Sequence, residues 1–120
     1  MKDLASIRVR YMRDPLPVRL GGLAADLARV ASFSKNPDNL PPVSDLIREA
    51  AHFIEWCAPD ADLETQVVLL DLQRHLVRWR AQLSRRFLDD AWRRWLTAEA
   101  QQWSQRVLEM SGLLKQEHKS

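Results

Sequence analysis

The sequence predicts an all-α fold, an antiparallel bundle of about four helices preceded by a short N-terminal arm. Three observations carry this. Apolar residues recur at three- and four-residue steps over four long stretches. Glycine is scarce, with 3 in 120 residues, and all 6 prolines lie within the first 59, whereas a β-sandwich needs many turns. Hydrophobic and charged residues make up 46% and 28%, the balance of an ordinary folded domain and not of a disordered chain. A chain of this length has room for one core, so a single domain over residues 1–120 is expected.

Residues 1–13 do not choose a period. Leu4, Ile7 and Tyr11 have helical spacing, while Ile7, Val9 and Tyr11 alternate as in a strand. They are expected to form a basic arm that packs on the bundle. The first bundle helix should start at Asp14-Pro15, with Asp as cap and Pro in the first turn, where its missing N–H had no partner. Leu16, Leu20, Leu23, Leu27, Val30 and Ala31 then share one face. Its flank of Gly21, Ala24, Ala25, Ala28 and Ser32 is nearly bare, so a neighbouring backbone, in the same chain by preference, could approach closely. Residues 34–42, with three prolines and two asparagines, read as loop.

A second helix is expected from about Pro42 to Cys57, burying Val43, Leu46, Ile47, Ala50, Phe53, Ile54 and Cys57. Ala58-Pro59 ends it, because a residue before proline is pushed out of the α region. So short a link makes the next helix antiparallel. That third helix, about Asp62 to Phe87, carries two apolar sets. Leu69, Leu72, Leu76, Trp79, Leu83 and Phe87 form one; Leu63, Leu70, Val77, Ala81 and Leu88 form another, a third of a turn or more away. Such a helix is either central to the bundle or touches a second chain. An Asp cap near Leu88-Asp89-Asp90 should start the fourth helix, since without a break the two would form one rod of about 50 residues, rare in a globular domain. Trp92, Leu96, Ala100, Trp103, Val107, Met110 and Leu114 make its stripe. Ser111-Gly112 should fray its end, and Lys115–Ser120 forms a polar tail.

The stretch Gln102–Leu114, together with Arg19-Leu20-Gly21-Gly22-Leu23-Ala24 and Phe53-Ile54-Glu55-Trp56, resembles a family of short, uncharacterised helical proteins of cyanobacteria. The similarity spans most of residues 15–114. It implies a cytoplasmic helical protein and lends no activity, cofactor or site residue.

No constellation of residues has the form of a catalytic or cofactor site, and the chain is expected to be no enzyme and to hold neither cofactor nor metal. Glu49 and His52 have the Glu-x-x-His spacing of di-iron bundles, but those sites need two such motifs and two further carboxylates. Here there is one, and His52 sits about 200° from Ala50, at the centre of the buried stripe. Asp71 and His75 are four apart with no nucleophile beside them, and read as an exposed pair. His118 lies alone in the tail. Cys57, at a helix C-terminus on the apolar face, reads as a small buried hydrophobe rather than a reactive thiol. Gly21-Gly22 has neither the spacing nor the preceding strand of a phosphate loop. The N-terminus lacks the apolar core of a secretory leader, and no run reaches the ~20 apolar residues of a membrane span. With one cysteine, no internal disulfide can form, which fits a reducing compartment. No membrane association is expected, and the expected location is the cytoplasm.

Net charge is +2 but unevenly spread: +3 over residues 1–34, −6 over 35–73, +5 over 74–95 and zero thereafter. The basic block holds Arg74, Arg78, Arg80, Arg85, Arg86, Arg93 and Arg94, interleaved with Trp79, Trp92 and Trp95. Arginine with aromatics suits a protein hot spot, a nucleic-acid surface with phosphate contacts and stacking, or a solvated face over buried tryptophans. Trp79 and Trp92 fall on core stripes, which leaves Trp95 as the candidate for exposure. The expected function is non-catalytic protein–protein interaction or assembly through Arg78, Arg85, Arg86, Arg93, Arg94 and Trp95. The partner is an unidentified protein, a homodimer stays open, and nucleic-acid binding is the alternative.

Overall fold

The computed structural model describes residues 3–114. It is an all-α bundle of five helices with no strand among the described residues: α1 Leu4–Met12, α2 Leu16–Phe33, α3 Leu40–Cys57, α4 Leu63–Arg86 and α5 Asp90–Ser111. The helix count exceeds the expected four because the N-terminal arm is itself helical. Asp3 caps α1 by accepting from the Ala5 N–H at 3.1 Å. α1 has no fully buried residue; tertiary contact decides what periodicity could not. The Tyr11 ring stacks on Phe53 with centroids 3.9 Å apart, and its hydroxyl donates to the Arg19 carbonyl.

α2 starts at Leu16, and the expected Asp14 cap is not used. Pro15 occupies the cap position without a side-chain bond, while the Asp14 carbonyl accepts from Arg19 Nε at 3.0 Å. α3 begins two residues earlier than its prolines suggested. Pro41 and Pro42 fall in its first turn, where no N–H is needed. A 3-10 turn, Pro37–Asn39, precedes it, with the Asn36 side chain accepting from the Asp38 N–H. A second such turn, Ala58–Asp60, leads to Asp62, which caps α4 through Thr65 N–H at 2.8 Å. Asp89 caps α5 at the predicted break. α5 ends at Ser111, where Gly112 takes the left-handed conformation, φ 87°, as its C-terminal cap. The polar tail and His118 lie outside the described residues.

α2 packs along α3 on one side and α5 on the other, and α4 closes the ring against α3 and α5. The bare flank of α2 receives α5 of the same chain. Ser104 Oγ donates to the Ala24 carbonyl at 2.7 Å, and a Cβ on Gly21 would lie 2.8 Å from the Leu113 side chain. The core is one cluster, in which Leu23, Leu27, Val30, Val43, Leu69, Leu72, Leu96 and Val107 have no exposure. No helix is long and apolar enough to cross a membrane among the described residues.

Candidate interaction surface

α4 presents two apolar rows. Leu69, Leu72, Leu76, Trp79 and Leu83 are buried. At 100° per residue, the second row lies about 140° round the helix from them, and nothing among the described residues covers it. Leu63 is 76% exposed, Leu70 55% and Val77 63%, with Leu88 at 80% just beyond the helix end. Val67 belongs to the same row and is exposed as well. The inner row sets the orientation of α4, because it holds the larger side chains, Trp79 among them, and burying them against α3 and α5 is favourable in proportion to their apolar area.

The arginines divide in space. Arg78, Arg85 and Arg86 are exposed on α4, with Arg86 3.5 Å from Asp89. Gln82, between them in sequence, accepts from Trp92 Nε1 at 3.1 Å. The Trp95 ring lies 6.0 Å from that of Trp92 and is 45% exposed. Trp95 therefore adjoins the arginine flank of α4. Trp79 and Trp92 are buried, as their stripe positions indicate.

Arg93 does not belong to this surface. It is buried, its Nη1 donates to the Phe87 carbonyl at 2.8 Å, and its Nη2 bonds Asp90. The guanidinium sits 5.9 Å from the Phe87 ring centroid. It fastens the α4–α5 turn, and its head group is buried there rather than presented to a partner. Arg94 is exposed but turned 100° from Trp95 on the helix. It lines a hollow of about 580 Å³ with Ser34, Lys35 and Gln101, on the α2 side of α5. Of the six predicted residues, Arg78 and Arg85 share one flank of α4 with Trp95 near it, while Arg86, 100° further round the helix, reaches Asp89 instead.

The remaining candidates are accounted for by their neighbours. His52 stacks on Trp56 at 5.7 Å and lies 3.6 Å from Glu55 rather than pairing with Glu49. His75 Nδ1 lies 2.9 Å from the Asp71 carbonyl oxygen, and its ring packs 5.0 Å from Trp103. Among the described residues no three of His, Cys, Asp and Glu gather into a group that could hold a metal. Cys57 is fully buried with Sγ 3.2 Å from the Tyr11 hydroxyl. Burial pushes both the thiol and the phenol upward from their ordinary values, so both stay protonated and neutral at neutral pH. The Trp92 and Ala91 backbone N–H groups hold the Asp89 carboxyl low, and the Thr65 N–H does the same for Asp62.

One buried arginine went unnoticed in the sequence. Arg19 reaches the Trp56 carbonyl at 3.2 Å and Asp60 at 2.9 Å, joining the start of α2 to the end of α3. No local pattern marks it, since its acceptors come from residues 37 and 41 positions away.

A scan against protein-family models, a search of curated proteins and a search of solved structures each return no match for this chain.

Proposed function

We propose that this chain is a non-catalytic interaction or assembly protein that docks another protein through the outer face of α4 and the adjoining Trp95. One observation carries the reading: the longest helix bears an exposed apolar row, Leu63, Val67, Leu70 and Val77, with Arg78 and Arg85 beside it. Contiguous exposed apolar surface rimmed by polar groups marks interaction sites, and tryptophan and arginine are the residues most enriched at energetic hot spots. Arg78, Arg85 and Trp95 are the contact groups, and Arg86, paired with Asp89, lies off this face. Arg94 stands apart, and Arg93 serves the turn. The single buried thiol suits a reducing compartment, and the cytoplasm is the proposed location. The burial of Trp79, Trp92 and Trp103 speaks against nucleic acid, because it leaves few rings on which bases could stack.

The test is a pull-down from native lysate with wild-type protein and Arg85→Glu combined with Trp95→Ala. Both positions are exposed, so the melting temperature should hold while a specific protein band disappears. Identical bands from both proteins would remove this face as the docking site. Nucleic acid recovered in place of protein, and lost at higher salt, would replace the reading with the alternative.

A further inference from the structure

The outer row of α4 has the spacing of a coiled-coil seam. Leu63, Val67, Leu70, Arg74, Val77, Ala81, Ser84 and Leu88 follow one another by alternating steps of four and three, which keeps a row on one line against a facing helix. Immediately beside the seam, on the flank towards α5, stand Glu64, Asp71, Arg78 and Arg85 at seven-residue intervals. Their order is acid, acid, base, base. Glu64, Arg78 and Arg85 are exposed, and the Asp71 carboxylate is 47% exposed with its backbone carbonyl, not its side chain, nearest His75.

That order is complementary to its own reverse. An antiparallel pair of identical helices sets Glu64 against Arg85 and Asp71 against Arg78, and two-fold symmetry makes each pairing twice. The same register faces Val67 with Ser84 and Leu70 with Ala81, a large residue against a small one, and closes each end of the seam with Leu63 against Leu88. Arg74 falls opposite Val77 near the axis, one turn from its own Asp71. A single charged residue at such a position fixes register at some cost in affinity. A parallel pair has none of these merits. It brings Arg80 of one helix to Arg85 of the other and the basic C-terminal halves side by side.

We infer that the occupant of this face is a second copy of the same chain, packed antiparallel along α4 about a two-fold axis. This rests on the reading of the outer face as a docking surface and names its partner. The apolar row supplies the attraction, and the four flanking charges select orientation and reject the parallel form.

The experiment is sedimentation equilibrium of the full chain over a wide concentration range, with circular dichroism to check helix content. Wild type should show a reversible monomer–dimer equilibrium. Glu64→Arg with Asp71→Arg leaves a flank of four bases, and Arg78→Glu with Arg85→Glu leaves four acids. Each double variant alone should dimerise about tenfold or more weakly, since like charges then face each other. An equimolar mixture of the two should recover the dimer, a result that misfolding cannot produce. Wild type that stays monomeric throughout would overturn the proposal, as would dimerisation undiminished in both variants. If wild type is monomeric yet still captures a protein band that Arg85→Glu with Trp95→Ala loses, only the second-copy assignment fails. If it is monomeric and captures none, the docking reading fails with it.

Discussion

The inner and outer faces of α4 are made of similar material and meet opposite fates. Each carries at least five apolar residues at helical spacing, yet Leu72 has no exposure and Leu70, two positions earlier, is 55% exposed. The difference is not hydrophobicity. The inner row holds Trp79 and packs against α3 and α5, closing the core that they share with α2. The outer row is mostly Leu, Val and Ala, broken by Arg74 and Ser84, and holds no bulky ring to keep a second helix away. A helix with two rows therefore states two contracts, one met by its own chain and one left over, and only the packing says which is which.

The sharpest way to break this comparison is at the inner row. Leu76→Ala removes a side chain that is 2% exposed and should destabilise by about 2–5 kcal/mol, as large-to-small core substitutions do. Chemical denaturation measures it, and the loss should be the same at any protein concentration. A cost near zero would mean that the two rows are assigned to the wrong sides.

The arginines allow a second contrast at smaller scale. Arg93→Ala leaves the buried Phe87 carbonyl without its donor and strips the cation from the Phe87 ring, so a loss of about 1–3 kcal/mol is expected. Arg78→Ala, on an exposed position with no internal ion pair among the described residues, should stay within about 0.5 kcal/mol in dilute solution. Denaturation curves of the two variants, run side by side, separate the fastening arginine from the docking one. Equal losses would erase the distinction between them.

The bundle was legible because its signals are local. Asp62 and Asp89 as caps, Pro59 as a stop and the three-four rhythm of Leu69–Phe87 each act within a turn or two. The outer row was legible as a second apolar set, but its exposure was not, because burial depends on what the rest of the chain does. Arg93 shows the same limit. In sequence it is one of seven basic residues, and only the fold turns it inward beside Phe87, while Arg94 follows it to a different side of the helix. The N-terminal arm stayed undecided because its helix is fixed by Tyr11 stacking on a ring 42 positions away.

The smallest expected effect is the most telling for the outer row. Leu70→Ala removes apolar surface that the isolated chain already leaves in water, so in dilute solution it should change stability by no more than about 0.5 kcal/mol. The result changes character if the row is covered by another molecule. Whatever binds the folded state and not the unfolded state adds stability that grows with its concentration. For a second copy of the chain, the melting temperature of wild type should climb with protein concentration, and that of Leu70→Ala should climb less. Leu76→Ala should lower both curves by a constant amount and leave the slope alone. Melting curves over a hundredfold range of protein concentration would read both responses together. A wild-type melting temperature that ignores concentration would leave the outer row uncovered by its own kind, and the comparison between the two faces would then have to be drawn with a different protein on the outside.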